Sequence, residues 1–156
     1  SDFHRFAGSY LRGDENIILI VSQGELDRAI RNAIRIGIDN IVAWAEPELL
    51  LQVDGLDTMK EITALQFEQM DKVHVLDVRR LIEFEQGSIS GAINIAHTRL
   101  FDRLSELDKG KEWVVNCHAG SRSAAACMAL KQEGFSVTNL AGGYKGWKEH
   151  TNCSLA

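Results

Sequence analysis

The stretch EWVVNCHAGSRSAAACMALKQEG, residues 112–134, carries the strongest structural signal in the chain. It opens with a short apolar run that is typical of a buried parallel strand. From Ser121 to Glu133 the pattern is helical, and Gly134 ends it. Cys117 therefore lies in a loop between a strand and the start of a helix. Unpaired backbone N–H groups and the helix dipole favour an anion there, so we expect a populated, reactive thiolate.

The loop after the cysteine consists of small residues followed by a cation. Ala119 and Gly120 leave the backbone free to curl around a bound sulfur or oxyanion, and Arg122 adds a permanent positive charge. The alternative is a buried structural cysteine followed by an ordinary helix cap, because free cysteines are commonly buried. The strand, loop and helix together favour an active-site loop.

The composition suits one globular domain, or one domain and part of another. The chain has 156 residues, 45% of them hydrophobic, and a formal net charge of -5. Its scattered lysines and arginines indicate neither a nucleic-acid surface nor a membrane patch, and no apolar run approaches the length of a membrane span. The three cysteines form no CxxC pair and the five histidines are dispersed. We therefore predict no disulfide framework, no metal and no cofactor, in a cytoplasmic protein that acts on small molecules.

Residues 16–52 repeat the order of elements found around Cys117. A strand at 16–21 is followed by a helix at 25–36, a stop at Gly37 and a second strand at 41–44. In the aligned copy Ser22 takes the place of Cys117, so we interpret residues 1–52 as a partial, degenerate segment without the catalytic cysteine. Alternatively, any two strand-helix-strand units look alike at this level. Because the chain opens inside such a unit and lacks an initiator methionine, we expect it to be a fragment of a longer protein.

A linker at residues 53–59, with turn formers, precedes a second domain at residues 60–156. Thr63 and Gln66 form a capping-box pattern for a short helix. A glycine pair, Gly142-Gly143, precedes the last helix, and we expect its backbone to approach the reactive loop closely. The other predicted elements are strands at 60–62, 73–76, 92–95 and 137–140 and helices at 81–84 and 98–107. This alternation predicts an α/β fold with a central, mostly parallel sheet and helices on both faces.

Asp77 and Arg79 directly follow the buried strand at 73–76. The carboxyl ends of parallel strands usually carry functional groups, so both residues are candidates for supporting the site. Asp77 would orient the loop or its arginine. Alternatively, Asp77 is an ordinary helix cap and Arg79 a solvated charge.

Three stretches resemble rhodanese domains, and the resemblance covers nearly all of residues 60–150. They are VLDVRRLIEFEQGSISGAINIA (75–96), VVNCHAGSRSAAACMALKQEGF (114–135) and VTNLAGGYKGW (137–147). Ser88 and Ala96 depart from the family, in which many members have His and Pro. The resemblance implies a rhodanese-like fold, and residues 3–52 look like the second half of a degenerate rhodanese domain. This order resembles fusion proteins in which a metallo-beta-lactamase-fold persulfide dioxygenase precedes a degenerate and then an active rhodanese domain.

What the resemblance implies is sulfurtransferase activity by double displacement at Cys117. The thiolate would take sulfane sulfur from thiosulfate or a low-molecular-weight persulfide and pass it to an acceptor thiol. We expect Arg122 to position anionic donors, and His118 to lie on the rim, where it either tunes the acceptor or is simply solvated. Cys127 is expected in the core, and Cys153 is incidental. Backbone N–H groups would bind the anionic persulfide along His118, Ala119, Gly120, Ser121 and Arg122.

Two other functions stay open. Phosphatases and arsenate reductases also place a Cys-loop-Arg motif before a helix, but the present loop has one residue fewer than theirs, which suits a single sulfur better than a tetrahedral oxyanion. The third possibility is a non-catalytic regulatory or docking module, which fits residues 1–52 best. Because half an α/β domain leaves apolar surface uncovered, we expect residues 16–52 to pack on the second domain, or on another copy of the chain in a homodimer. An upstream dioxygenase-type domain absent from this sequence is another possible packing partner.

Overall fold

The computed structural model describes residues 8–11 and 15–154, and the chain divides into two compact units, Ser1–Asp57 and Thr58–Ala156. The boundary lies within the stretch that the sequence analysis assigns to a linker. Within the described residues, no helix combines the length and the apolar character needed to cross a membrane.

The described part of the first unit contains a two-stranded parallel sheet and the α-helix that connects its strands. Strand β1 (Ile17–Ile20) pairs with β2 (Ile41–Ala45), and helix α1 (Leu26–Ile34) connects them. A 3₁₀ turn at Gln23–Glu25 precedes α1, and another at Pro47–Gln52 follows β2. The helix is held against the sheet by a small apolar cluster of Ala33, Ile38, Leu11, Ile17, Ile36 and Ile41.

Much of the apolar surface of this unit stays exposed. Ile18 keeps 59% of its surface exposed and Val42 keeps 56%. The idea that this surface packs on another domain or on a second copy stays a prediction, and so does the degenerate repeat. One feature is common to both strand-helix-strand segments: the glycines that end their helices, Gly37 and Gly134, have left-handed φ values of 79° and 84°. Glycine adopts this conformation without the strain that a Cβ would cause.

The second unit is a five-stranded parallel sheet with the order β3-β7-β6-β4-β5. Its elements are β3 (Glu61–Ile62), α2 (Ala64–Glu68), β4 (His74–Asp77), α3 (Leu81–Glu85), β5 (Ile93–Asn94), β6 (Glu112–Asn116), α4 (Ser121–Gln132), β7 (Ser136–Leu140) and α5 (Gly143–Ser154). The predicted α/β fold is confirmed. The expected capping box is also present, because Thr63 accepts a hydrogen bond from the backbone of Gln66 and the Gln66 side chain accepts one from Thr63.

Apolar side chains on the central strands form the core of this unit. Because successive residues of a strand point to opposite faces, Val75 and Leu76 are buried on different sides of the sheet. One face packs in a cluster with residues from α2 and α5, and the cluster comprises Val75, Ile89, Val114, Leu140, Ile62, Phe67, Val73, Ala92, Tyr144 and Trp147. Helix α4 contacts β6 and β7 and buries Ala126 and Leu130.

The continuous helix expected at residues 98–107 is wrong. Two 3₁₀ segments, His97–Arg99 and Phe101–Glu106, occupy this region, and the backbone of Arg103 departs from helical geometry with φ −122° and ψ 15°. The Arg103 guanidinium binds Glu106 and also reaches the carbonyl oxygen of Asn94 on the neighbouring strand at 3.3 Å. Local tertiary contacts of this kind override a helical sequence pattern.

Candidate active site

The reactive loop begins where two neighbouring strands end side by side. Strands β4 and β6 are parallel, and Asp77 stands in register with Asn116. The Asn116 side-chain amide donates to Asp77 Oδ2 at 3.1 Å. Cys117 follows Asn116 directly and is completely buried. The carboxyl edge of the sheet therefore brings the predicted nucleophile and the predicted supporting carboxylate into one cluster.

The first contacts of the sulfur come from the loop itself. The backbone N–H of Gly120 donates to Cys117 Sγ at 3.1 Å. Gly120 is the N-cap of α4 and has a left-handed φ of 104°, a conformation that glycine adopts readily. The first N–H groups of an α-helix have no acceptor within the helix, so the start of α4 offers Ser121 and Arg122 as further donors beside the loop. This end of the helix favours a negatively charged sulfur.

Ser123 is a second contact of the sulfur that the sequence analysis missed. Its hydroxyl lies 3.4 Å from Cys117 Sγ and 3.0 Å from the carbonyl oxygen of Gly120, and the residue is fully buried. A hydroxyl has one proton, so it donates to one of these acceptors at a time. The available signal was its position in the first turn of a helix that starts next to a reactive thiol.

The carbonyl groups of the loop are held by the N-terminus of α5. The N–H of Tyr144 donates to the carbonyl oxygen of Cys117 at 2.7 Å, and the N–H of Lys145 donates to that of His118 at 3.0 Å. Gly143 makes this approach possible, because a Cβ at its position would lie 2.5 Å from the Cys117 carbonyl oxygen. The expected close approach of the glycine pair is confirmed at Gly143. With its carbonyls turned toward α5, the loop keeps N–H groups available for the sulfur.

Arg122 is paired with a carboxylate that the sequence analysis did not select. Its two terminal nitrogens donate to the two oxygens of Glu83 on α3 at 2.8 and 2.7 Å. The hydrogen bond from Arg122 lowers the pKa of Glu83 to about 2, against the opposing effect of partial burial. The same hydrogen bond raises the pKa of Arg122, with a smaller contribution from the nearby Cys117. Arg122 thus lies in the first turn of α4, directly after the loop that holds Cys117, but its charge is largely balanced by Glu83.

Asp77 and Arg79 form a buried ion pair. Arg79 donates to the Asp77 carboxylate from Nε at 2.9 Å and from Nη2 at 2.7 Å, and Nη2 also donates to the carbonyl oxygen of Gly87. The guanidinium carbon lies 4.2 Å from the centre of the Tyr144 ring. A solvated Arg79 is therefore wrong, since only 2% of its surface is exposed. A helix-capping Asp77 is also wrong, because α3 takes Arg80 as its N-cap.

A cleft of about 530 Å³ lies beside the loop. His118 lines it and is exposed, as expected for a rim residue, whereas Ala119 and Ser121 are exposed loop positions outside its lining. The cleft is formed by α3, the loop and α5, and the residues that line it are Arg79, Glu83, Gln86, His118, Tyr144, Lys145, Lys148, Glu149 and Asn152. A small molecule in this cleft would lie against the loop that holds Cys117.

The other two cysteines lie outside this arrangement. Cys127 is buried in α4, and burial raises its pKa to about 12, which keeps it a protonated thiol. Its expected place in the core is confirmed. Cys153 is exposed near the end of α5. Across residues 8–11 and 15–154, no three His, Cys, Asp or Glu side chains cluster in a way that could hold a metal ion.

Comparison with known proteins identifies the second unit. A sulfurtransferase of Allochromatium vinosum is 36% identical over 81 residues, which are 51% of this chain and 76% of that protein. Thiosulfate sulfurtransferase GlpE of Shewanella oneidensis is 31% identical over 98 residues, 60% of this chain and 97% of the relative. The crystal structure of a rhodanese-related protein from Thermoplasma volcanium is 36% identical and superposes with a TM-score of 0.56, over 58% of this chain and 92% of that one. The family model of the rhodanese-like domain matches residues 58–150, more than half of the sequence, so this chain belongs to the rhodanese-like domain family.

Proposed function

We propose that this protein is a sulfurtransferase that carries sulfane sulfur as a persulfide on Cys117. The observation that carries the proposal is the hydrogen bond from the Gly120 N–H to Cys117 Sγ at the start of α4. A helix N-terminus with unpaired N–H groups stabilises a thiolate before the reaction and an anionic persulfide after it. The names of the relatives support the same enzyme class, rhodanese-type sulfurtransferase.

In the first step the Cys117 thiolate attacks the outer sulfur of the donor. A bond forms between Sγ and that sulfur, the donor's sulfur–sulfur bond breaks, and its electron pair leaves with sulfite from thiosulfate or with a thiolate from a persulfide. In the second step an acceptor thiolate attacks the outer sulfur of the Cys117 persulfide and regenerates the Cys117 thiolate. No external oxidant or reductant is needed.

The loop supplies the binding groups for this cycle. The N–H of Gly120 and the N–H groups at the start of α4 would solvate the added sulfur, while the N-terminus of α5 holds the carbonyls of Cys117 and His118 away from it. Ser123 supplies a hydroxyl that can turn toward the sulfur. His118, on the rim of the cleft, meets the donor or the acceptor thiol.

Mass measurement after incubation with a sulfane donor tests the proposal. The protein is treated with thiosulfate or glutathione persulfide and weighed, and we expect a gain of one sulfur that cyanide removes. Cys117→Ser should abolish the gain, and Cys153→Ser, the matched control at an exposed thiol, should retain it. An adduct that survives Cys117→Ser, or no adduct with any donor, would refute the proposal and leave the docking function.

A phosphatase or arsenate reductase function is less well supported. Such enzymes bind the oxyanion with the loop arginine, and here two of the five N–H donors of Arg122 already bind Glu83. Hydrolysis of p-nitrophenyl phosphate that depends on Cys117, in the absence of sulfur transfer, would reverse this ranking.

For the first unit we propose a scaffold role without catalysis. Ser22 stands two residues after the end of β1 and Cys117 stands directly after β6, so the corresponding turn of the first unit carries a serine and no thiol. The exposed apolar side chains of β1 and β2 would then pack on the second domain, on another copy of the chain, or on an upstream dioxygenase-type domain of a longer, cytoplasmic fusion protein. Sedimentation of the chain as a monomer, with Ile18 and Val42 exposed in solution, would argue against such packing.

A further inference from the structure

The cleft beside the reactive loop is larger than a small inorganic donor requires. Its volume is about 530 Å³, and sites for organic small molecules typically measure about 300 to 1,000 Å³. Thiosulfate has few atoms and would fill only the part of the cleft next to the loop. The rest extends along α5, where Lys148 and Asn152 line it. This part of the cleft suits the organic body of a small thiol.

Next to the loop, the charged side chains have partners within the protein. Arg79 is buried in its ion pair with Asp77. Glu83 binds Arg122 at 2.7 Å, and Nε of Arg80 lies 3.6 Å from the same carboxylate. Neither group of charges leaves a cation in the cleft wall without a carboxylate beside it.

Lys148 differs from the other cations that line the cleft. Lys145 lies 3.9 Å from Glu149, whereas no carboxylate of the described residues lies within ion-pair distance of Lys148. Nζ of Lys148 instead lies 6.0 Å from the centre of the Tyr144 ring, four residues earlier on the same helix. Side chains of a helix tilt toward its N-terminus, and the N-terminus of α5 is the end that meets the loop. The ammonium group is therefore directed toward the site.

From this arrangement we infer that Lys148 is a specificity-determining residue, which binds a carboxylate of the small thiol that gives or receives the sulfur. The inference rests on the proposed function and names the substrate class of the same site, carboxylate-bearing thiols. Asn152 lies one helical turn beyond Lys148 in the lining of the cleft and offers a side-chain amide as a second donor.

The spacing along α5 sets the length of the thiol. An α-helix rises about 1.5 Å per residue, so Lys148 stands about 6 Å farther along α5 than Tyr144, whose N–H binds the carbonyl oxygen of Cys117. One extended residue spans about 3.5 Å. A carboxylate one or two residue lengths from the thiol would thus meet the ammonium group while the sulfur meets Cys117.

The bound thiol reacts without further reagents. Its thiolate attacks the outer sulfur of the Cys117 persulfide, and a new sulfur–sulfur bond forms. The bond between the outer sulfur and Sγ breaks, and its electron pair leaves with Cys117 as the thiolate. The product is the persulfide of the small thiol, and its carboxylate takes no part in the bond changes.

The test compares two acceptors, glutathione and glutathione diethyl ester, in which both carboxylates are esterified. Cys117 is first loaded with sulfur from thiosulfate, and excess donor is removed. Lys148→Gln should raise the half-saturating concentration of glutathione about two- to fivefold, as expected for a partly exposed ion pair, and leave the limiting rate unchanged. The value for the diethyl ester should not change. Lys148→Arg, which keeps a positive charge, should behave like the unmodified protein.

Lys111→Gln is the matched control. Lys111 is an exposed lysine directly before β6, at the edge of the sheet opposite to Cys117, so both acceptors should react as with the unmodified protein. An unchanged value for glutathione in Lys148→Gln, or an equal rise for the diethyl ester, would overturn the inference. Transfer from loaded Cys117 would then still support the proposed function. An unmodified protein that takes up no sulfur on Cys117 would refute that function, and the inference with it.

Discussion

Replacing Gly143 with alanine should displace the reactive loop from its position over α5. In the present structure an added Cβ would lie 2.5 Å from the Cys117 carbonyl oxygen, 2.9 Å from the carbonyl carbon of His118 and 3.0 Å from the amide nitrogen of Ala119. All three are backbone atoms, so no side chain can rotate away. Relieving the shortest contact to 3.0 Å requires the loop and the start of α5 to separate by roughly 0.5 Å.

The cost has two parts that can be separated experimentally. Gly143 has a φ of 58°, where an alanine is strained by about 1 to 2 kcal/mol. Overpacking against a rigid backbone adds typically about 1 to 3 kcal/mol. We therefore expect Gly143→Ala to lower the free energy of unfolding by about 2 to 5 kcal/mol. Because misplacing reacting groups by about 1 Å can cost about 100-fold in rate, sulfur transfer should fall by roughly 10- to 100-fold.

Gly91→Ala is the control for backbone strain alone. Gly91 has a φ of 77°, and nothing lies within 4 Å of the Cβ that would be added. The assays are urea denaturation for stability and thiocyanate formation from thiosulfate and cyanide for activity. Gly91→Ala should lose only the strain contribution and keep its activity. If Gly143→Ala keeps an activity within about twofold of Gly91→Ala, the contact between α5 and the loop does not position the site.

Four further predictions follow from the contacts of single residues. Ser123→Ala should slow the loading of Cys117 with sulfur by about three- to tenfold in stopped-flow assays, because one hydrogen bond to the sulfur is lost. An unchanged rate would mean that the Ser123 hydroxyl donates to the carbonyl oxygen of Gly120 and not to the sulfur. Asp77→Asn should lower the free energy of unfolding, measured by urea denaturation, by about 3 to 5 kcal/mol, because it leaves the buried Arg79 without its charged partner. Asp102→Asn, which breaks an exposed ion pair, is the control and should lower it by less than about 1 kcal/mol. Arg122 lowers the pKa of Glu83 from 4.5 to about 2, so the ion pair stabilises the fold above pH 4.5 and this stability is lost as the pH falls toward 2. The free energy of unfolding of the unmodified protein should therefore exceed that of Glu83→Gln at neutral pH, and the difference should shrink as the pH falls from 4.5 to 2. A difference that stays constant across this range would be evidence against the ion pair. In folded Cys117→Ser protein, iodoacetamide at neutral pH should alkylate Cys153 and leave Cys127 unmodified until the protein is unfolded, as mass spectrometry would detect.

Local patterns predicted the elements that position the nucleophile. The apolar run of β6, the small residues after Cys117 and the glycine stop at Gly134 are properties of neighbouring residues, and each specifies its conformation directly. The close approach at Gly143 was predictable for a similar reason, because a glycine pair before a helix indicates that backbone passes nearby. The helical periodicity of residues 98–107 predicted a continuous helix, but the backbone of Arg103 is not helical and its side chain contacts the neighbouring strand at Asn94.

The electrostatics of the site depend on contacts that no local pattern contains. Glu83 and Arg122 are 39 residues apart, and they meet only because β4 lies beside β6 and places α3 next to the start of α4. Ser123 faces the sulfur because of the way α4 is rotated about its own axis, and the helical sequence pattern alone does not determine that rotation. The burial of Arg79 depends on the ring of Tyr144, which α5 supplies from the end of the chain.

The complete burial of Cys117 also affects how the protein ages under oxidative conditions. Peroxide converts thiolates stepwise to sulfenic, sulfinic and sulfonic acids, and the last two steps destroy a nucleophile in most proteins. The reaction depends on exposure, and Cys117 has none, whereas Cys153 is exposed. An oxidant must therefore reach Cys117 by the same route as the sulfur donor, so we expect a saturating donor to slow oxidation of Cys117 and to leave oxidation of the exposed Cys153 unchanged.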